Sequence, residues 1–390
     1  MPKTPRPTRK LSPFFLFPFT LLLTLLLSLP WVSAKEAPKP KPQPWQIEGI
    51  VAALDDSHDD VKRYAFSKLA DYEPQDLKSV LKKPEDIARK AADILKDEKV
   101  DAFVRDGAAL ALGNLGQAAE PYIKDIADIL KDEKVDADVR RGAAVALGNL
   151  GQAAAPYIKD IADILKDEKV NVYVRGGAAE ALGNLGQAAA PYIKDILKDE
   201  KEDASTRHRA AEALVNLGQA AAPYIKDIAD ILKDEKEDAF VRYRAAVALG
   251  NLGQAAEPYI KDIADILKDE KVNVSVRRSA AVALGNLGQA AAPYIKDILD
   301  FLKDEKVNVY VRGGAAVALG NLGQAAGPYI KDIADILKDG KVSVIVRRDA
   351  AVALGNLGQA AVPYIKDIAD ILKNEQEEPY FLYRAAEALG

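Results

Sequence analysis

The chain has 390 residues, of which 49% are hydrophobic and 29% are charged, and its formal net charge is −5. This composition is typical of a folded protein and argues against disorder. The absence of cysteine excludes disulfides, thiolate metal sites and a cysteine nucleophile. The only two histidines, His58 and His208, are far apart in the sequence, which disfavours a histidine metal cluster. We therefore expect neither a metal site nor a cofactor.

Residues 1–34 have the pattern of a secretory signal peptide. Four basic residues precede an apolar run at residues 14–29, and small residues follow it up to Ala34. We predict cleavage after Ala34 and export to a periplasmic, lumenal or secreted destination. The alternative is an uncleaved membrane anchor. At about 1.5 Å per residue, however, a run of this length is shorter than a hydrocarbon core of roughly 30 Å.

Removal of this segment would leave 50 basic and 59 acidic residues, a net charge of −9. This balance argues against a nucleic-acid partner, and we expect no stable membrane span after cleavage. Residues 35–44 are rich in proline and lysine, which predicts an extended linker. Residues 45–98 repeat a valine–alanine–leucine spacing at Val61, Ala65 and Leu69. We interpret them as a degenerate N-terminal capping repeat.

A short motif dominates residues 99–390. NLGQAA occurs eight times and is followed each time by PYIKDI. The copies are 35 residues apart, except that 32 residues separate Asn184 from Asn216. A fixed period in this range predicts a solenoid of stacked units, in place of the two or three domains that the chain length alone would suggest.

Each unit contains two helical patterns, as residues 308–339 show. Val311, Ala315, Ala318 and Leu319 form the apolar stripe of a first helix. A short polar residue three positions before the valine is a predicted N-cap, and the glycine of NLGQAA is a predicted C′ residue. The second helix is predicted to begin near GQAA, with its proline in the first turn, as at Pro328.

The pattern D-x-x-V-R followed by A-A-x-A-L-G-x-L-G, then a second helix with an early proline, resembles the HEAT repeat. It is most similar to the short bacterial HEAT-like form that also occurs in phycobilisome lyases. The resemblance implies an all-α, right-handed solenoid, with first helices on the convex side and second helices on the concave side. It also implies a structural ladder between capping aspartates and the arginines that follow the valines: Asp101, Arg105, Asp136, Arg140, Asp203, Arg207, Asp238 and Arg242.

Four units depart from this ladder because Asn171, Asn273, Asn308 or Ser343 replaces the aspartate. We expect capping to survive there, with weaker charge pairing. The unit between Asn184 and Asn216 departs in length, since its PYIKDILKDEK lacks three residues of the usual PYIKDIADILKDEK. Three residues fall short of a 3.6-residue turn by about 60°. We therefore predict a kink in the stack near residues 191–207.

The positions that vary between units are candidates for function. They precede the valine or follow the arginine, so they lie on the first turns of the first helices and form one row. Tyrosine and arginine are enriched there, which is typical of binding hot spots. The candidate protein-binding residues are Phe103, Tyr173, Phe240, Tyr243, Arg244, Tyr310, Arg348 and Tyr380. His208, Arg209 and Arg278 occupy other positions in this row. The competing interpretation is drift on a solvated edge.

The second helices offer an alternative surface, because Lys331, Asp332 and Asp335 recur in almost every unit. This lattice could bind a polar partner, or it could be a solvated helix face. The last repeat is incomplete, since the sequence stops at Gly390 after a first helix. A truncated gene explains this most simply. The alternative is an open end that associates head to tail with another molecule.

No phosphate-binding loop, zinc signature or nucleophile elbow occurs in the sequence. We therefore expect a non-catalytic, exported solenoid that binds or scaffolds an unknown protein partner. One alternative is a lyase-associated enzyme or chaperone-like subunit related to the phycobilisome lyases. The other is a purely structural spacer.

Overall fold

The computed structural model describes residues 41–72, 77, 80–371, 382–383 and 385–386. The predicted signal peptide, most of the linker and the final incomplete repeat lie outside these residues. Within the described part, nineteen α-helices and eight 3₁₀ segments form the structure, and no strand occurs. The architecture is an all-α solenoid, as the repeat predicts, whereas its right-handed sense stays a prediction.

Three helices precede the regular units: Pro44–Ala53, Asp59–Ala70 and Pro84–Lys96. The first helices of the units are Ala102–Asn114, Ala137–Asn149, Val172–Asn184, Ala204–Asn216, Ala239–Asn251, Val274–Asn286, Val309–Asn321 and Val344–Asn356. The second helices are Ile123–Lys131, Ile158–Lys166, Ala190–Lys198, Ile225–Lys233, Ile260–Lys268, Ile295–Lys303, Ile330–Lys338 and Ile365–Ile371. We number these units 1 to 8.

A 3₁₀ segment joins the two helices of each unit and begins at the glycine of NLGQAA. These glycines have φ between 52° and 67°, which confirms the predicted left-handed C′ position. The expectation for the proline is wrong in seven units. There the proline lies inside a seven-residue 3₁₀ segment, as Pro328 does in Gly323–Tyr329, and the α-helix begins only after it. Since proline lacks an N–H group, it cannot donate a helical hydrogen bond at this point.

First helices pack against first helices of the adjacent units, and the second helices of units 1 to 7 pack chiefly against the first helix of the following unit. Their contact faces are made of small residues. A Cβ atom on Gly285 would lie 2.5 Å from Ala318 Cα, and one on Gly250 would lie 2.9 Å from Ala283 Cα. The backbones of adjacent first helices therefore approach so closely that only glycine fits at the crossing point.

Unit 3 absorbs its three-residue deletion in an unexpected place. Its second helix, Ala190–Lys198, keeps nine residues, whereas its 3₁₀ segment shrinks to Gly186–Ala188. Pro191 consequently enters the first turn of the α-helix. The deletion shortens the connection and not the helix.

The first helix of unit 4 packs less extensively on both neighbours than the other first helices do. Val215 replaces the crossing glycine there, so its backbone cannot approach the next helix as closely. A polar ladder reflects the same interruption. Asn149 and Asn184 donate in turn to Asn114 and Asn149 before unit 4, and Asn321 and Asn356 donate to Asn286 and Asn321 after it. The kink itself stays a prediction, and we expect it near residues 191–207, where unit 3 meets unit 4.

We predict that Gly285→Ala destabilises the protein by about 1–3 kcal/mol, because the new methyl group would force adjacent first helices apart. Gly327→Ala is the matched control, since a Cβ there meets nothing within 4 Å and other units carry alanine at this position. Urea unfolding, monitored by circular dichroism, measures the stability of both variants and of wild type. Equal unfolding midpoints for the two variants would contradict the close-approach account.

Candidate functional site

Four aromatic side chains of the predicted row are highly exposed. Phe103 is 57% exposed, Tyr173 65%, Phe240 64% and Tyr310 50%. They lie at the same position in units 1, 3, 5 and 7, whereas units 2, 4, 6 and 8 carry Asp138, Ser205, Ser275 and Ile345 there. The aromatic row therefore repeats every second unit. The sequence contains this alternation, although reading the varied positions one at a time does not reveal it.

The N-cap of each of these helices fixes the backbone of the aromatic residue itself. The backbone N–H of Phe103 donates to Asp101 Oδ1 at 2.9 Å, and that of Phe240 donates to Asp238 Oδ1 at 2.8 Å. Asn171 and Asn308 make the same bond to Tyr173 and Tyr310. The cap thus stabilises the helix, by about 1 kcal/mol in typical cases, and also holds the aromatic residue at the helix start.

The remaining described candidates contact other side chains of the chain. Tyr243 is half-buried, and the guanidinium of Arg244 lies 5.5 Å from its ring centroid. Arg244 Nη2 also lies 2.5 Å from Glu212 Oε1. Arg348 Nη2 is 2.7 Å from Asp349 Oδ1. These two arginines are therefore neutralised within the chain, and Tyr380 lies outside the described residues.

The arginines of the predicted ladder are buried, but their main partner differs from the expected one. In seven units the Nε atom donates to the carbonyl of the leucine ten residues earlier, at 2.9–3.1 Å. The donors are Arg105, Arg140, Arg175, Arg242, Arg277, Arg312 and Arg347. Such a buried bond from a charged group is worth about 1.5–3 kcal/mol. It fastens each of these seven first helices to the C-terminal end of the helix before it.

The described residues do not form the regular ion-pair ladder that the resemblance implies between capping aspartates and arginines. Among residue pairs that lie wholly in the described part, a ladder arginine and a cap carboxylate pair once, at Arg175 Nη2 and Asp203 Oδ2, 3.1 Å apart. Arg207 Nη1 instead binds Glu237 Oε2 at 2.7 Å. Arg175 pairs with Asp203 in addition to its bond with the carbonyl of Leu165.

The caps at Asp136 and Asp203 accept backbone N–H groups as the other aspartates do. Ser343 is an exception, since its side chain makes no capping hydrogen bond. The expectation that capping survives at all four substituted positions is therefore wrong at this one. At Asn171, Asn273 and Asn308 the side-chain oxygen accepts the expected bond.

Charges on the second helices bind one another. The last lysine of one second helix pairs with an aspartate of the next, as in Lys268–Asp297 and Lys303–Asp332, both at 2.6 Å. Within a helix, Lys331 binds Asp335 at 2.6 Å, which raises the pKa of the lysine and lowers that of the aspartate. Exposed pairs of this kind stabilise a protein by only about 0–1 kcal/mol each. This lattice therefore has the character of a solvated face.

Large and small residues face each other between units in the aromatic row. Two positions directly after the ladder arginine meet between adjacent units. The residue one position after the arginine of one unit contacts the residue two positions after the arginine of the next unit. A glycine stands opposite a charged side chain in each of five such contacts: Asp106 with Gly142, Arg141 with Gly177, Arg209 with Gly176, Arg278 with Gly314, and Asp349 with Gly313. The glycine leaves room that the neighbouring side chain fills.

Asp106 is the titratable group that this packing perturbs most clearly. Burial raises its pKa to about 6, although Arg141 opposes the shift, and the carboxylates of Asp138 and Asp136 add to it. Arg141 Nη2 lies 3.3 Å from Asp106 Oδ1. Since the guanidinium is itself a third exposed, solvent weakens its attraction and the desolvation of Asp106 prevails.

Within the described residues, no group of three or more His, Cys, Asp or Glu side chains could hold a metal ion. Across the same ranges, none of the helices is long and apolar enough to cross a membrane.

Comparison with known families identifies the repeat. The model for HEAT repeats matches residues 123–214, and the model for the PBS lyase HEAT-like repeat matches residues 241–269, 276–301 and 346–370. These matches confirm the predicted HEAT repeats over residues 123–214 and the HEAT-like form in the three later segments. No curated relative matches the sequence.

Solved structures confirm the fold class. Kap121p has a TM-score of 0.51 and 13% identity, over 90% of this chain and 46% of that one. The karyopherin Kap121p bound to the extreme C-terminus of the protein phosphatase Cdc14p has a TM-score of 0.50 and 15% identity, over 91% and 42% of the two chains. The chain thus spans less than half the length of these proteins. At these identities the similarity concerns the solenoid fold alone.

We predict that Asp106→Asn stabilises the protein relative to wild type as pH rises. A pKa raised from 3.8 to about 6 means that the fold disfavours the ionised carboxylate. The stability that protonated Asp106 contributes is therefore present below about pH 4 and lost through about pH 6. The free energy of unfolding of Asp106→Asn, relative to that of wild type, should increase by about 1–3 kcal/mol between about pH 4 and pH 7.5.

Urea unfolding of both proteins at the two pH values measures this difference. Asp195→Asn serves as the control, because that side chain is 76% exposed. An advantage that is the same at both pH values would show that the desolvation of Asp106 is not the dominant effect.

Proposed function

We propose that this chain is an exported, non-catalytic HEAT-repeat solenoid that binds a protein partner through the row of Phe103, Tyr173, Phe240 and Tyr310. The observation that carries the proposal is the regular exposure of these aromatic side chains. Half or more of each surface faces solvent, and each backbone is fixed by a cap. Export rests on the signal-peptide pattern of residues 1–34.

Aromatic side chains held on a rigid scaffold are favourable contact points. They present a large apolar area and lose little conformational entropy on binding, and they are enriched among interface hot spots. Four such residues at regular intervals would contact a long partner at several points. Once one contact has formed, the effective concentration of the partner at the next aromatic residue is higher. The structure of Kap121p bound to the extreme C-terminus of Cdc14p supports a chain segment as partner of this fold.

The second helices support a non-catalytic role. Their recurring carboxylates bind lysines of the same or the adjacent helix. A general acid or base requires a carboxylate with a shifted pKa in a cleft, whereas these side chains form a repeated and largely exposed lattice. Their repetition suits a solvated surface.

Two other functions remain as alternatives. The match to the PBS lyase HEAT-like repeat favours a lyase-associated enzyme or chaperone-like subunit, and chromophore transfer to a phycobiliprotein by the purified chain would establish it. The internally paired charges of the second helices favour a structural spacer. Head-to-tail association through the C-terminal end is a further proposal, and it concerns residues outside the described part.

We predict that replacing Tyr173, Phe240 and Tyr310 together by alanine lowers partner recovery from the exported fraction by about tenfold or more, because hot-spot truncations have effects of this size. Tyr64→Ala is the control, since Tyr64 is 64% exposed but lies outside the aromatic row. Circular dichroism verifies that each variant is folded. Equal recovery with the triple variant and with wild type would eliminate the row as the binding surface and favour the spacer.

A further inference from the structure

Two units carry the same first-helix sequence, NVYVRGGAA, at residues 171–179 and 308–316. Each places an exposed tyrosine, Tyr173 or Tyr310, one helical turn before a pair of glycines. Residues three and four positions apart lie on the same face of a helix. The glycine pair therefore forms a shallow depression beside the tyrosine. The side chain that lies in this depression determines what the surface can bind.

An arginine from an adjacent unit lies in each depression. A Cβ atom on Gly176 would lie 2.9 Å from Arg209 Nη1, and a Cβ on Gly314 would lie 2.8 Å from Arg278 Cγ. Any larger residue at either glycine would displace the arginine. The absence of a side chain at these two positions thus brings an arginine to within one turn of an exposed tyrosine in both units.

These two arginines differ from the others in the row by their lack of a carboxylate partner. Arg141 pairs with Asp106, Arg244 with Glu212 and Arg348 with Asp349. Within the described residues Arg209 and Arg278 form no ion pair, and their Nε atoms have no hydrogen-bond partner. Asp349 lies against Gly313, but it is only 4% exposed and its charge is balanced by Arg348. At Gly176 the neighbour is the guanidinium of Arg209, and at Gly314 it is the stem of Arg278. A partner would therefore meet an arginine without a carboxylate partner on the unit adjacent to each tyrosine.

The two tyrosine–arginine pairs belong to units 3 and 7, four steps apart along the solenoid. Helices that pack together are about 8–10 Å apart, which gives a separation of roughly 32–40 Å. An extended peptide advances about 3.3 Å per residue, so ten to twelve residues would span roughly this distance. Phe240, in unit 5, lies midway between the two pairs and is equally exposed.

We propose that Tyr173 with Arg209 and Tyr310 with Arg278 form a two-part site for an extended acidic polypeptide, with Phe240 as the contact between them. The guanidinium groups would bind carboxylates of the peptide, and the aromatic rings would bind apolar side chains spaced five or six residues apart. This inference rests on the proposed function, because it requires the aromatic row to bind protein. It adds the charge, the conformation and the length of the bound segment.

Selection from a random library of 18-residue peptides against the full chain tests this proposal directly. We expect the selected peptides to be rich in Asp and Glu, with apolar residues at intervals of five or six. The double variant Arg209→Gln/Arg278→Gln should bind them about tenfold or more weakly. Lys261→Gln/Lys331→Gln removes two positive charges from the second helices and should bind them as wild type does.

The outcomes separate this inference from the proposed function. Neutral or basic selected peptides, no enrichment, or equal weakening by both double variants would overturn the acidic-peptide site. If partner recovery still depended on the aromatic row in that case, the proposed function would stand without the acidic-peptide site. If the triple variant of Tyr173, Phe240 and Tyr310 recovered partner normally, the proposed function itself would fail.

Discussion

The close approach of adjacent first helices is the constraint on which the rest of the structure depends. Glycine on one helix meets the backbone of alanine on the next, as Gly285 does with Ala318 and Gly320 with Ala353. The side chains that remain at these crossings are too small to form a core within one unit. Since the second helices of units 1 to 7 also pack chiefly on the following unit, the helices pack mainly between units, and stability is a sum over neighbours.

The same constraint determines where surface variety can occur. Positions at the crossings accept little besides glycine and alanine, whereas the first turn of each first helix lies at the edge of the stack. There the cap fixes the backbone while the side chain at Tyr173 or Ser205 remains free to differ. The junction of units 3 and 4 relaxes the packing, through the shortened 3₁₀ segment of unit 3 and through Val215 of unit 4. The array thus consists of two regular runs of units that flank one looser joint.

Much of this could be predicted from the sequence, because local signals specify it. Asp101 as a cap and Gly116 as a left-handed residue follow from their positions alone. The 3₁₀ path around Pro121 was not predictable, since a proline suits both a first α-turn and a 3₁₀ segment. The partner of Arg105 was misassigned because Leu95 accepts through its backbone oxygen, which leaves no signature in the sequence. The seating of Arg209 against Gly176 depends on how adjacent units align.

The central claim is that the units fold by completing one another. Circular dichroism of an excised unit, residues 308–342, in dilute buffer tests it most directly, with the full chain as reference. Because this fragment lacks the first helix on which its second helix packs, and isolated helices shorter than about 12–15 residues are marginal in water, it should be largely unfolded and melt without cooperativity. A fragment that stayed as helical as the full chain, with a cooperative melting transition, would contradict the account.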